Sequence, residues 1–149
     1  MNAKLTIAVS ALCGMLLGFP PAQAQEPSGI KRLRVEIGLL EHDFTTYPEQ
    51  LTLKAGEPYR LELVNWSQGI RHIVLAPELA GAVRTTAIRK LPDREEMKGA
   101  GFDSGISLAP GGGRVEVYFV PIKEGRYKLF CQDRVHTQAG MDVTVDIRL

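Results

Sequence analysis

The chain has 149 residues, with 18 Lys plus Arg against 17 Asp plus Glu, 44% hydrophobic residues and two cysteines. That length accommodates one domain and not comfortably two. The composition excludes a collagen, a coiled coil and a disulfide-dense scaffold, and the balanced charge gives no support for a nucleic-acid binder.

The first residues read as an address label. Lys4 is followed by an apolar run from Leu5 to Phe19 and then by Pro20-Pro21-Ala22-Gln23-Ala24. A positive start, a short apolar core and an Ala-x-Ala site make a secretory signal peptide, with cleavage expected after Ala24. The run is shorter than the roughly 20 apolar residues of a membrane helix, and no later stretch is apolar enough to span. Leu12 and Ser10 ahead of Cys13 do not suit a lipoprotein anchor. The mature chain, residues 25–149, is then a single domain without a membrane span. It loses one charge, Lys4, which leaves zero net charge, and it keeps one cysteine, Cys131. One cysteine cannot form an internal disulfide, and in an oxidising compartment a lone thiol is buried or used.

From Ile30 onward the pattern is mostly period two, the signature of half-buried strands. Leu33, Val35 and Ile37 alternate with Arg34 and Glu36. Leu51-Thr52-Leu53 is a short strand before the turn Lys54–Pro58. Tyr59, Leu61 and Leu63 form the next alternation, and Ile70–Ala76 is a strand carrying His72. The segment 77–101 differs. Leu79, Val83, Ala87 and Leu91 recur at helical spacing, which predicts a helix over Pro77–Lys90 interrupted at Pro92. Strands resume at Ser104–Leu108, at Val115–Phe119, at Tyr127–Cys131 and at Val143–Leu149. About seven or eight short strands with turns between them predict an all-β sandwich or small barrel.

The chemistry concentrates in Phe130-Cys131-Gln132-Asp133-Arg134-Val135-His136-Thr137-Gln138-Ala139-Gly140-Met141. The segment joins two strands, so a loop that folds back brings Cys131, His136 and Met141 toward one point. Thiolate, imidazole and thioether together suit copper, and Cys-His₂ with a weak axial Met is the blue-copper arrangement. A second histidine is needed. His72, on a mid-chain strand, can supply it; His42, between Glu41 and Asp43, reads as a solvated surface residue. Taken singly, each residue has a plainer reading: Cys131 as a small core hydrophobe, Met141 as core filler, His136 as a loop residue, His72 as a core histidine. Their order on a strand–loop–strand favours the metal. Cys and two His also suit tetrahedral zinc, but thioether is not a usual zinc ligand. Gly111-Gly112-Gly113 precedes a strand and has no following Lys-Ser/Thr, so it is a turn and not a phosphate cradle.

From about Leu33 to Leu149 the chain resembles the cupredoxins, the type 1 copper family of plastocyanin, azurin and pseudoazurin. The specific part is Cys131-x4-His136-x4-Met141, a spacing similar to the ligand loops of rusticyanin and auracyanin. Leu51–Gly56, Leu63-Val64-Asn65 and Gly125-Arg126-Tyr127 support the likeness. The resemblance implies a Greek-key β-sandwich with His72, Cys131, His136 and Met141 as ligands of one copper ion. It implies an electron carrier that meets a redox partner protein by outer-sphere transfer; the signal peptide points to the periplasm, a monomer is expected, and an enzyme is not, since the sequence has no second Cys/His cluster. The same ligands would also serve a copper carrier that exchanges metal with a donor or acceptor protein. Three departures stand out. Ile73 occupies the position after the first histidine, where the family often has a loop-tying Asn. Asp133 and Arg134 replace an apolar Cys-to-His loop. The connection 77–101 is long.

Overall fold

The computed structural model describes residues 29–38 and 44–149; the expected signal peptide, residues 1–24, and His42 lie outside the described residues. In chain order the elements are β1 (Lys31–Ile37), β2 (Thr46–Tyr47), β3 (Gln50–Lys54), β4 (Tyr59–Asn65), β5 (His72–Leu75), α1 (Pro77–Ala80), β6 (Val83–Leu91), β7 (Glu95–Glu96), β8 (Ile106–Leu108), β9 (Gly113–Pro121), β10 (Gly125–Cys131), α2 (Arg134–Gln138) and β11 (Asp142–Arg148). Two sheets form, one in the order β2-β1-β4-β9-β6-β7 and the other β3-β11-β10-β5-β8. β1 runs parallel to β4 and β3 to β11, while the remaining pairs are antiparallel. This is the β-sandwich that the alternation predicts.

Side chains two apart on a strand share a face. Val35, Ile37, Leu61, Leu63, Val117 and Phe119 line the inner face of the first sheet, and Leu53, Leu129, Val143, Val145 and Ile147 that of the second, all buried. The outer face of the first sheet carries the alternate residues, and these pair by charge. Arg34 meets Glu36 at 3.0 Å, Arg114 meets Glu62 at 3.5 Å, and Arg60 meets Glu116 at 3.3 Å. Glu116 is buried, and the Tyr118 hydroxyl donates to it at 2.9 Å, so its charge is both paired and hydrogen-bonded. At the C-terminus the alternation stops one residue early: Ile147 is buried, but Leu149 lies beyond β11 and is exposed.

The expected helix over 77–90 is corrected. Only Pro77–Ala80 is helical, with Pro77 at its first turn, and Val83–Leu91 is a strand. An interval of four residues is shared by one helix face and one strand face, so Leu79, Val83 and Ala87 fit both patterns. The β-branched Val83, Thr85, Thr86 and Ile88 favour the strand. A bulge between Thr85 and Ala87 then shifts the phase, so that Val83 and Ile88 are the buried pair. The segment therefore extends the first sheet past β9 by two strands instead of adding a helical cover.

Candidate metal centre

His72 opens β5 and Cys131 closes β10, two neighbouring strands of the five-stranded sheet. Their register pairs Cys131 with Val74, two residues beyond His72. Partners across a ladder share a face, as do residues two apart, so His72, Val74 and Cys131 all point into the sandwich. His72 is 0% exposed and Cys131 4%.

His136 arrives on α2. The Asp133 carboxylate accepts the Val135 N–H at 2.9 Å and so caps the helix. Thr137 Oγ1 donates to the Cys131 carbonyl at 2.8 Å, and the Met141 N–H donates to the His136 carbonyl at 3.0 Å. The Cys131 N–H in turn reaches the Met141 carbonyl at 3.3 Å. These bonds bend Cys131–Met141 into a tight ring of backbone. The tie absent at Ile73 is made by main chain, because the Gln132 N–H donates to the Ile73 carbonyl at 2.7 Å.

The result is convergence. Cys131 Sγ lies 3.7 Å from His72 Nδ1 and 3.5 Å from His136 Nδ1. One donor atom from each of the three residues falls within 4.8 Å of the other two, a group able to hold one metal ion. An ion bonded at about 2.0 Å to nitrogen and about 2.3 Å to sulfur requires donor separations of roughly 3.2–3.8 Å, so both S···N distances fit. The imidazole rings of His72 and His136 meet edge to face, 5.2 Å apart at 70°, and Phe44 packs on His136 at 4.5 Å. Only 13% of the His136 side chain is exposed. Met141 is 1% exposed at the entry to β11. Burial pushes the Cys131 thiol above its ordinary pKa; hydrogen bonds from the Asp133 and Ile73 backbones act against that shift. A cavity of about 330 Å³ lies between Ile70–Ile73 and Gln132–Asp133 and reaches Cys131 and His136.

Several residues that build this site carry no ligand pattern in the sequence. Asp133 reads there as a charge in the loop, although an Asp ahead of a short helical run is an N-cap signal. Ser67 Oγ lies 2.9 Å from His72 Nε2, and Asn65 holds the Ser67 N–H at 3.0 Å. Nothing in their spacing announces either contact.

No family model matches the chain, and no curated protein matches its sequence. Solved structures do match. Auracyanin B is 16% identical over 82% of this chain and 91% of its own, with a TM-score of 0.52. The dithionite-reduced auracyanin of Roseiflexus castenholzii is also 16% identical, over 81% of this chain and 99% of its own, with a TM-score of 0.52. A multi-copper oxidase from Pediococcus acidilactici is 13% identical with a TM-score of 0.58; the match takes in 94% of this chain but only 30% of the oxidase. At such identities the likeness is one of fold. The two sheets, the strand order and these matches give the chain the cupredoxin β-sandwich fold.

Proposed function

We propose that this chain is an exported, mononuclear copper protein that carries single electrons by outer-sphere transfer, with His72, Cys131, His136 and Met141 as the metal donors. The observation that carries the reading is the meeting of Cys131 Sγ with two imidazole Nδ1 atoms at 3.5 and 3.7 Å. A thiolate and two imidazoles form a donor set for copper, which would supply one-electron chemistry, and Met141, whose backbone bonds to both Cys131 and His136, is the proposed fourth donor. His72 and Cys131 are anchored on strands and His136 on a capped helix, so the donors move little when charge changes. The small exposed part of His136 is the route for the electron to a redox partner protein. Val135, 65% exposed beside it, offers apolar contact there. The described residues contain no helix long and apolar enough to cross a membrane, and the Met1–Ala24 pattern supports export to the periplasm. A carrier suits this donor set better than an enzyme, because turnover needs an open metal position or a second metal, and the described residues bring together one such group.

One observation favours a second reading, a copper carrier that hands over its metal. The cavity beside Cys131 and His136 gives an incoming ligand an approach to the donors, and α2 buries none of its residues. The deciding experiment compares electron self-exchange of the copper-loaded protein with copper loss to a Cu(I) chelator. Fast self-exchange with slow loss supports the electron carrier. Fast loss with sluggish self-exchange overturns it in favour of delivery.

A further inference from the structure

We infer that Ser67 is the positioning residue of His72: its hydroxyl fixes the imidazole so that Nδ1 faces Cys131. This rests on the copper reading of the site. His72 is 0% exposed, so its outer ring nitrogen must find a partner inside the protein. Ser67 Oγ stands 2.9 Å from that nitrogen, Nε2.

Ser67 is itself 1% exposed, and its place is dictated from three sides. Its N–H donates to Asn65 Oδ1 at 3.0 Å. Asn65, buried at the end of β4, donates through Nδ2 to the carbonyls of Ile70 at 2.8 Å and Leu108 at 3.2 Å. Leu108 is the strand partner of His72 on β8. One amide therefore binds together the turn that carries Ser67, the chain just before His72, and the strand beside it. From the third side Gly38 packs against the hydroxyl. A Cβ there would lie 2.2 Å from Ser67 Oγ, and its φ of +74° is itself a glycine conformation.

The hydroxyl has a property that a carbonyl lacks. With Nδ1 engaged by the metal, Nε2 carries the ring proton and Ser67 Oγ accepts it. With the proton on Nδ1, the same oxygen turns its O–H toward Nε2 and donates. Ser67 thus keeps Nε2 partnered in either tautomer, and the buried ring is never left with an unsatisfied nitrogen on that side. Partners of this kind that orient a ligating histidine change metal affinity substantially when removed.

The test compares Ser67→Ala and Ser67→Thr in the mature chain, each checked for folding by far-UV circular dichroism. Ser67→Ala is expected to weaken copper binding about 10–100-fold in chelator competition, while Ser67→Thr, which keeps the hydroxyl, stays within about threefold. In the metal-free protein, Ser67→Ala should also shift the ring ¹⁵N resonances of His72. A folded Ser67→Ala protein with wild-type affinity and unshifted resonances overturns the role. If the wild-type chain takes up no copper, the copper reading fails on its own, and the metal-free resonances still decide the role of Ser67. If Ser67→Ala does not fold, the Cu(I)-loaded wild-type protein decides: a slowly exchanging proton on His72 Nε2 supports the assignment, and a rapidly exchanging one contradicts it.

Discussion

Cys131 and His72 stand 59 positions apart in the chain, yet one strand pairing sets sulfur and nitrogen 3.7 Å from each other. Around them, Asn65 and Ser67 are buried polar residues hydrogen-bonded to each other. Asn65 makes three such bonds, to Ser67, Ile70 and Leu108. Asn65→Ala would leave an N–H and two carbonyls without that partner. Each stranded group costs about 1–3 kcal/mol, not additively, so a loss of about 2–4 kcal/mol is expected in denaturant unfolding of the metal-free protein. A loss under about 1 kcal/mol would mean that the 65–72 turn does not depend on this amide. The three residues that converge, His72, Cys131 and His136, were legible in the sequence because soft side chains are rare and their order is informative. Asn65, Ser67 and Gly38 were not. Polar residues and glycine in a turn usually meet solvent, and only the approach of β1 and β8 turns these inward.

At the scale of single elements, the short helix α2 sets the position of His136, and Asp133 sets the helix. Asp133→Ala removes the cap and should cost about 1 kcal/mol, whereas Asp133→Asn, also a good cap, should cost much less. Thermal unfolding of the two variants measures the difference, and equal losses would point to the charge instead of the cap. On the outer face of the first sheet, burial and then the Glu116 carboxylate push the Tyr118 phenol above its ordinary pKa, with Arg60 and Arg94 acting in the opposite direction. The folded state thus holds this proton more tightly than the unfolded chain. Its contribution is intact below about pH 10 and is lost as pH rises through the folded-state value. The wild-type protein should lose more stability than Tyr118→Phe between about pH 8 and about pH 10.5, read from urea midpoints. Parallel losses would show that the phenol does not titrate differently in the fold. The strands were legible because alternation has one simple cause, burial of one face. β6 was not, because a bulge breaks its alternation and an interval of four residues suits a helix equally well.

Over the whole molecule, the sandwich brings the start of β5, the end of β10 and the start of β11 to one end of the five-stranded sheet, and the Cys131–Met141 loop closes over that end. The fold class and the donor loop were both readable from one chain, since period-two patterning specifies the sheets and strand order then carries His72 to Cys131. The depth of His136 was not readable, because Phe44 covers its ring from a distant part of the chain. The central claim is that Cys131, His72 and His136 hold a copper ion in one thiolate-containing site. The most direct measurement is a Cu(II) titration of the mature protein and of Cys131→Ala, followed by visible absorption. The expected result is an intense blue or green charge-transfer band that saturates at one equivalent and is absent in Cys131→Ala. A wild-type protein that stays colourless throughout, or a band that survives the loss of Cys131, would contradict the account.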